Sequence, residues 1–250
     1  MANSYSIGRL FGIPIRVHVT LLIFLPLFAF SFMPAGGPRG LFYGGLGAVG
    51  LFASVALHEI GHSLVARAKG SRILEILLLP IGGMARLNAL PRRPIDEIQT
   101  ALAGPAVSLV LGLAGLFFAP ALFSLNPLLA IVVHELGRIN VMLVLFNLIP
   151  SFPMDGGRVF RAALVPRLGR LPATQLAAKV GRGFAWLFAA WALLPLLKNG
   201  QINFSLLLIA YFIHQAAGAE ARQAEWEALA ELQRGQPSGL FDDLLRKWKC

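Results

Sequence analysis

Long apolar runs constrain the fold of this 250-residue chain more than any other feature. A helix needs about 20 consecutive apolar residues to cross the hydrocarbon core of a bilayer, and 56% of the residues are hydrophobic while only 14% are charged. We therefore predict an all-α polytopic membrane protein with six transmembrane helices. The six runs lie at residues 17–34, 41–66, 98–120, 128–149, 176–197 and 202–217.

The distribution of basic residues predicts the orientation of these helices. Of the 22 Lys and Arg residues, 19 lie before the first run, around the loops that follow the second and fourth runs, or after the last run, whereas the opposite loops contain only Arg39 and Lys198. Because basic residues concentrate on the cytoplasmic side of membrane proteins, we expect both termini in the cytoplasm of a bacterial or archaeal cell. This topology explains the net charge of +10 and implies no nucleic-acid partner.

The sequence HEIGH at 58–62 is a polar exception within the second run. Ionisable groups at membrane depth are costly and usually mark a functional site. Residues four apart share a helix face, so the imidazoles of His58 and His62 can reach one metal ion, and Glu59 can act on a nearby water molecule. In zinc peptidases with this spacing the metal lowers the pKa of a water molecule and the glutamate takes its proton. We therefore predict one Zn²⁺ per chain.

A catalytic zinc usually has three protein ligands, so a further ligand must come from elsewhere in the chain. The richest stretch is LFNLIPSFPMDGGRVFRA at 145–162, where Pro150 and Pro153 interrupt a helix. Asp155 follows this interruption, on the side of the membrane where His62 is expected. Taken alone, Asp155 has a second interpretation as the N-cap of a helix at 157–167.

These motifs together resemble the site-2 protease family of intramembrane zinc metalloproteases. The resemblance implies that His58, His62 and Asp155 are the zinc ligands, that Glu59 is the catalytic base, and that Asn147 lies near the active site. The matching segments are HEIGH at 58–62, LLLPIGGMARL at 77–87, LAGPAVSLVL at 102–111 and NLIPSFPMDGGR at 147–158.

Two positions depart from the family pattern. Where the family often has Asn four residues after Gly-Pro this chain has Ser108, and where it often has Leu before Asp-Gly this chain has Met154. We expect a compact form of the enzyme, because the residues after the last run are too few for the nucleotide-sensing repeats of some relatives and no loop is long enough for a peptide-binding insertion. Regulation is then left to other parts of the chain or to a regulatory membrane protein.

A strand pair is predicted between the second and third apolar runs. Residues 73–79 and 84–90 flank the sequence Pro-Ile-Gly-Gly, a pattern typical of a hairpin or of re-entrant strands. One interpretation is a surface loop that packs on the bilayer. The other is an exposed strand edge that captures an extended peptide by adding it to the sheet, with Gly82 and Gly83 as substrate-binding residues.

The chain is expected to divide into a membrane metalloprotease domain at 1–218 and a cytoplasmic tail at 219–250. The tail sequence AEARQAEWEALAELQRG has acidic and basic residues at helical spacing, with Trp226, Leu229 and Leu232 on one stripe. This pattern predicts an amphipathic helix that lies on the membrane or on the enzyme.

The function that these features favour is that of an intramembrane zinc endopeptidase. Its substrates would be membrane proteins, cleaved in or near a transmembrane segment within the lipid bilayer. The alternative is a non-enzymatic membrane metal-binding protein, either a zinc carrier or an inactive scaffold. A carrier should have ligands on both sides of the membrane midplane, whereas the candidate ligands all lie towards one end, and a scaffold has no need of Glu59.

Overall fold

Seven helices and four strands form the part of the chain that the computed structural model describes, which is residues 3–80, 82–88 and 93–235. The strands are β1 (Ser4–Leu10), β2 (Ile13–His18), β3 (Ile73–Leu79) and β4 (Gly82–Leu87). The helices are α1 (Val19–Phe30), α2 (Met33–Ala68), α3 (Pro94–Phe123), α4 (Pro127–Asn147), α5 (Asp155–Leu168), α6 (Arg170–Asn199) and α7 (Phe204–Gly235).

Four segments within these helices are long and apolar enough to cross a membrane. They are Gly37–Ala68, Pro94–Phe123, Pro127–Asn147 and Phe204–Ala230. The apolar helix α1 has only 12 residues, which is about 18 Å of helix and too short to cross the hydrocarbon core alone. The described residues therefore form a polytopic membrane protein with four helices of spanning length. These helix lengths support four of the six predicted spans.

The four strands form one mixed sheet in the order β1-β2-β3-β4. Strands β1 and β2 are antiparallel, β2 and β3 are parallel, and β3 and β4 are antiparallel. The predicted hairpin is present as β3 and β4, but its second strand begins at Gly82 rather than at residue 84, because Gly82 and Gly83 pair with Leu79 and Leu78 instead of forming the turn. The all-α prediction was wrong for residues 4–18, which form two further strands. In β2, buried residues alternate with partly exposed ones, which is the period of a strand with one face against a core.

The sheet packs on the membrane helices through an apolar cluster. Burial of these side chains is the main force that fixes the sheet against α2, and the cluster includes Ile60, in the middle of HEIGH. Its buried members are Ile13, Ile15, Val17, Ile76 and Leu78 from the sheet, Leu21 from α1, and Phe52, Ala56 and Ile60 from α2. The core thus holds the HEIGH segment beside β3 and β4.

The described residues divide into two compact units. One contains the residues up to Ile149 together with Met154–Val159, and the other contains Pro150–Pro153 together with the residues from Phe160 onward. In the second unit, α6 and α7 pack through small buried residues, which allow helices in a membrane to approach closely. The small buried residues are Ala177 and Ala178 of α6 and Ala217 and Ala221 of α7, and they form one cluster with the buried ring of Phe152, which precedes α5.

Candidate metal centre

The side chains of His58, His62 and Asp155 converge in the first unit. The Nε2 atoms of the two histidines are 3.1 Å apart. Oδ2 of Asp155 lies 3.3 Å from Nε2 of His58 and 3.2 Å from Nε2 of His62. All three residues are buried. The structure therefore brings the two histidines of HEIGH and the aspartate 97 residues after His58 to one point.

Helix α3 provides a hydrogen-bond partner for Nδ1 of each imidazole. Nδ1 of His58 is 2.9 Å from Oγ of Ser108, and Nδ1 of His62 donates a hydrogen bond to the carbonyl oxygen of Thr100 at 2.7 Å. A proton on Nδ1 of His62 leaves the lone pair on its Nε2 for a metal. Partners of this kind fix the ring orientation and the tautomer of metal-binding histidines.

Two glycines allow α2 and α3 to approach closely enough for these contacts. A Cβ atom at Gly61 would lie 2.8 Å from the carbonyl oxygen of Ala103. A Cβ atom at Gly104 would overlap Nε2 of His62 and lie 2.7 Å from Nε2 of His58. A side chain at Gly104 would therefore occupy space beside the donor atoms, which gives a physical reason for the Gly-Pro sequence at 104–105.

Asp155 is the first residue of α5, and the chain between α4 and α5 turns tightly enough to bring Gly156 against Leu148 and Ile149. A Cβ atom at Gly156 would overlap the carbonyl oxygens of Leu148 and Ile149, so glycine is required for this approach. Burial alone would raise the pKa of the Asp155 carboxyl, but its contacts with the imidazoles of His58 and His62 and the positive charge of Arg158 together outweigh burial and lower the pKa. In the described part of the chain the carboxylate contacts these histidines and caps no backbone N–H of α5.

Glu59 lies beside this cluster without joining it. Its side chain is half-buried and packs against Gly83, where a Cβ atom would lie 2.5 Å from Cγ of Glu59 and 3.2 Å from its Cδ. The structure thus places one of the two predicted substrate-binding glycines directly on the predicted catalytic base. Gly82 begins β4 with φ of +139°, a backbone conformation that favours glycine, and a Cβ atom there would meet nothing within 4 Å.

Asn147 is the last residue of α4. Its side chain is half-buried and has no hydrogen bond with any residue that the structure describes. The structure therefore puts Asn147 at the helix end that precedes the Asp155 turn, and its expected catalytic role stays a prediction.

The geometry of the three donor atoms fits a tetrahedral metal ion. Zinc bonds to imidazole nitrogen and carboxylate oxygen are about 2.0–2.2 Å long, which separates neighbouring donors by about 3.3 Å in a tetrahedron. The three observed separations lie between 3.1 and 3.3 Å. Two nitrogens and one carboxylate oxygen also leave a fourth position open, as catalytic zinc sites require. His58, His62 and Asp155 therefore suit Zn²⁺ in both chemistry and spacing.

Comparison with known proteins decides the family. Residues 46–133 match peptidase family M50. The solved structure of the site-2 protease from Methanocaldococcus jannaschii shares 33% sequence identity and a TM-score of 0.62 with this chain, and the match covers 87% of this chain and 95% of that one. The chain belongs to the site-2 protease family. Its fold, with membrane helices and a small sheet, is that of this family.

Two curated proteins are similar to the chain over most of its length. A zinc metalloprotease from Methanocaldococcus jannaschii is 38% identical over 234 residues, covering 92% of this chain and 64% of that protein. A putative zinc metalloprotease from Synechocystis sp. is also 38% identical over 234 residues, covering 90% of this chain and 62% of that protein. The chain thus spans slightly less than two thirds of the length of these relatives.

Sequence reasoning missed two residues of this site. It treated Ser108 only as a departure from the family pattern and did not consider Thr100, yet both bond to an imidazole. The four-residue spacing of Gly104 and Ser108 was a usable signal, since it places both on one face of α3. No signal indicated Thr100, because its backbone carbonyl makes the contact and any residue type offers one.

Proposed function

We propose that this chain is an intramembrane zinc endopeptidase that hydrolyses peptide bonds in or near transmembrane segments of membrane proteins. The observation that carries the proposal is the triangle of donor atoms from His58, His62 and Asp155, with the carboxylate of Glu59 one residue from a ligand. Membership of the site-2 protease family supports a protease rather than a carrier or a scaffold. We assign the three triangle residues as the zinc ligands.

Glu59 is the general base in this proposal. A residue next to His58 on the helix projects about 100° away from it, so the carboxylate borders the metal position without occupying it. When zinc is bound, it polarises the peptide carbonyl and lowers the pKa of a water molecule. Glu59 accepts the proton of that water and passes it to the leaving amine, so that one peptide bond and one water become a carboxylic acid and an amine.

The outer edge of β4, the last strand of the sheet among the described residues, is the proposed substrate site. A transmembrane helix hides its peptide bonds in hydrogen bonds, so the cleaved segment must be extended first. An extended segment can pair with a sheet edge by backbone hydrogen bonds, and β4 is an edge strand. Because Gly83 touches Glu59, a segment paired along Gly82 and Gly83 would pass close to the catalytic base. Substrate binding through these two glycines rests on this proximity.

Asn147 is proposed to contact the substrate or the negative charge that develops on the carbonyl oxygen. A free amide donor can stabilise such a charge in a site that excludes water. Two facts support this role, namely the position of Asn147 at the end of α4 and the lack of any hydrogen bond to its side chain within the described residues.

We further propose six membrane-spanning segments with both termini in the cytoplasm of a bacterial or archaeal cell. Helix α1 and the start of α2 precede the non-helical Gly37 and together would form the first span, and α6 would form the fifth. The membrane domain would comprise residues 1–218 and the cytoplasmic tail 219–250. Residues 219–235 continue α7, and residues 236–250 lie outside the described residues.

Cleavage by the purified chain tests the proposed function. The full chain would be incubated in detergent with a panel of single-span membrane proteins, with and without a zinc chelator. We expect cleavage within or next to a transmembrane segment, loss of cleavage after chelation, and recovery on adding Zn²⁺. Zinc transport into vesicles without cleavage of any segment would instead favour the carrier.

A further inference from the structure

A groove of about 530 Å³ lies between α6 and α7 in the second unit. Its size is within the range of about 300–1,000 Å³ that is typical of ligand pockets. The groove is open on the α6 side because small residues such as Ala185 and Ala189 line it there. Aromatic and aliphatic side chains of α7, including Phe204, form most of the remaining lining. At one end the rings of Trp186 and His214 meet edge to face, with centroids 6.0 Å apart. The groove is suited to an apolar chain.

Two arginines lie one helical turn beyond that end of the groove. Arg182 is four residues from Trp186 along α6, and Gly218 is four residues from His214 along α7, so each lies on the same helix face as the groove residue. A Cβ atom at Gly218 would lie 3.3 Å from Nη1 of Arg222 and 3.5 Å from Nη2 of Arg182. The glycine therefore lets both guanidinium groups approach one point.

These two guanidinium groups lack a partner among the described residues. Neither has a hydrogen bond or an ion pair in the part of the chain that the structure describes, and Nε of Arg182 is buried without an acceptor. Glu220, two residues after Gly218, is paired with Arg161 at 3.7 Å. A buried donor without an acceptor is costly, and two like charges near one point repel each other. An anion between them would relieve both costs.

We propose that the α6–α7 groove binds one anionic phospholipid, with an acyl chain along its apolar lining and the phosphate between Arg182 and Arg222. This occupant is favoured because the negative charge of its phosphate complements the positive charges of the two guanidinium groups. Guanidinium groups bind phosphate oxygens through strong, often paired hydrogen bonds. The apolar helix of a partner protein would fill the groove but would leave both guanidinium groups unpaired, and a zwitterionic headgroup would bring an ammonium group beside them. This lipid site is independent of the metal centre.

A lipid titration of the full chain tests the proposal. The protein would be stripped of lipid in a neutral detergent, and its unfolding temperature followed as phosphatidylglycerol, phosphatidylcholine or inorganic phosphate is added, since a ligand of the folded state raises that temperature. We expect phosphatidylglycerol to raise it most. Arg182→Gln and Arg222→Gln should each lower the apparent affinity for phosphatidylglycerol by about tenfold or more. The matched control is Arg167→Gln, which removes an exposed arginine of α5. This variant should have the same apparent affinity for phosphatidylglycerol as the parent.

A variant that leaves both arginines in place tests the acyl part of the site. Ala189→Phe should fill the groove and lower the affinity for phosphatidylglycerol, while bound zinc reports that each variant is folded. Equal effects of phosphatidylglycerol and phosphatidylcholine would overturn the proposal, as would unchanged affinity in both Arg222→Gln and Ala189→Phe. An effect of inorganic phosphate equal to that of the lipid would also overturn it, because it would identify a site for free anions.

Discussion

Gly83 of β4 lies against Glu59 of α2, so closely that a Cβ atom at position 83 would be 2.5 Å from Cγ of the glutamate. The sheet and the proposed catalytic base are therefore in direct contact. A substitution in the strand can move the carboxylate without removing it.

Gly83→Ala tests this contact. The new methyl group should displace the Glu59 side chain, and small misplacements of a catalytic group can reduce activity by about 100-fold. We expect turnover to fall by about 10–100-fold while zinc content is unchanged. Gly183→Ala is the matched control, because a Cβ atom there would meet nothing within 4 Å. Full turnover of the Gly83 variant would show that the carboxylate does not depend on the strand.

Ser108→Ala tests the orientation of His58. Loss of the hydroxyl group removes the partner of Nδ1, and loss of such a partner commonly lowers metal affinity by about 10–100-fold. Zinc affinity would be measured by competition with a chelator. The matched control is Ser63→Ala, which removes another fully buried hydroxyl, one that has no hydrogen-bond partner among the residues that the structure describes. Equal affinity in the two variants would contradict an orienting role for Ser108.

Asp155→Ala tests the third ligand. Without this carboxylate, two imidazole nitrogens remain, which are too few for a stable catalytic zinc site. We expect zinc content well below that of the parent and no cleavage. Asp96→Ala removes an aspartate that is paired with Lys69 at 2.8 Å and does not belong to the three-residue cluster, and this variant should retain zinc. Normal zinc content in the Asp155 variant would remove it from the ligand set.

Backbone amide exchange tests substrate pairing at β4. The Glu59→Gln variant would be used, because it should bind a substrate without cutting it. We expect amides of Gly82–Leu87 to exchange more slowly once the substrate is added, since an added strand protects a free edge. The opposite edge strand, Ser4–Leu10, is the internal control. Unchanged exchange in β4, or equal protection of both edges, would argue that the hairpin is only a connection.

Local patterns predicted much of this fold. The strand at 73–79 has the predicted bounds, and the helix predicted at 157–167 is present as Asp155–Leu168. Strands β1 and β2 were missed because no element was assigned to residues 4–16, and Val17 and His18, the end of β2, were assigned to the apolar run that follows. The break between the first two runs was expected at 35–40, and the non-helical Gly37 lies there.

In the candidate site, some residues could be predicted from local sequence patterns, and others depend on tertiary packing. The positions of His58, Glu59 and His62 follow from helix periodicity alone, so the sequence predicts their common location. Asp155 could be proposed only through the family resemblance and the need for another ligand. The contact between Gly83 and Glu59 depends on how the sheet packs against α2, and no local pattern contains that information.

Glu59→Gln provides the most direct test of the central claim. The substitution preserves the size and most of the hydrogen bonding of the side chain while removing the base, and a general base contributes about 10²–10⁴ in rate. Zinc content and product formation would be measured on the same purified protein. We predict about one zinc per chain, as in the parent, with cleavage at least about 100-fold slower. Cleavage near the parent rate with zinc bound would contradict the account.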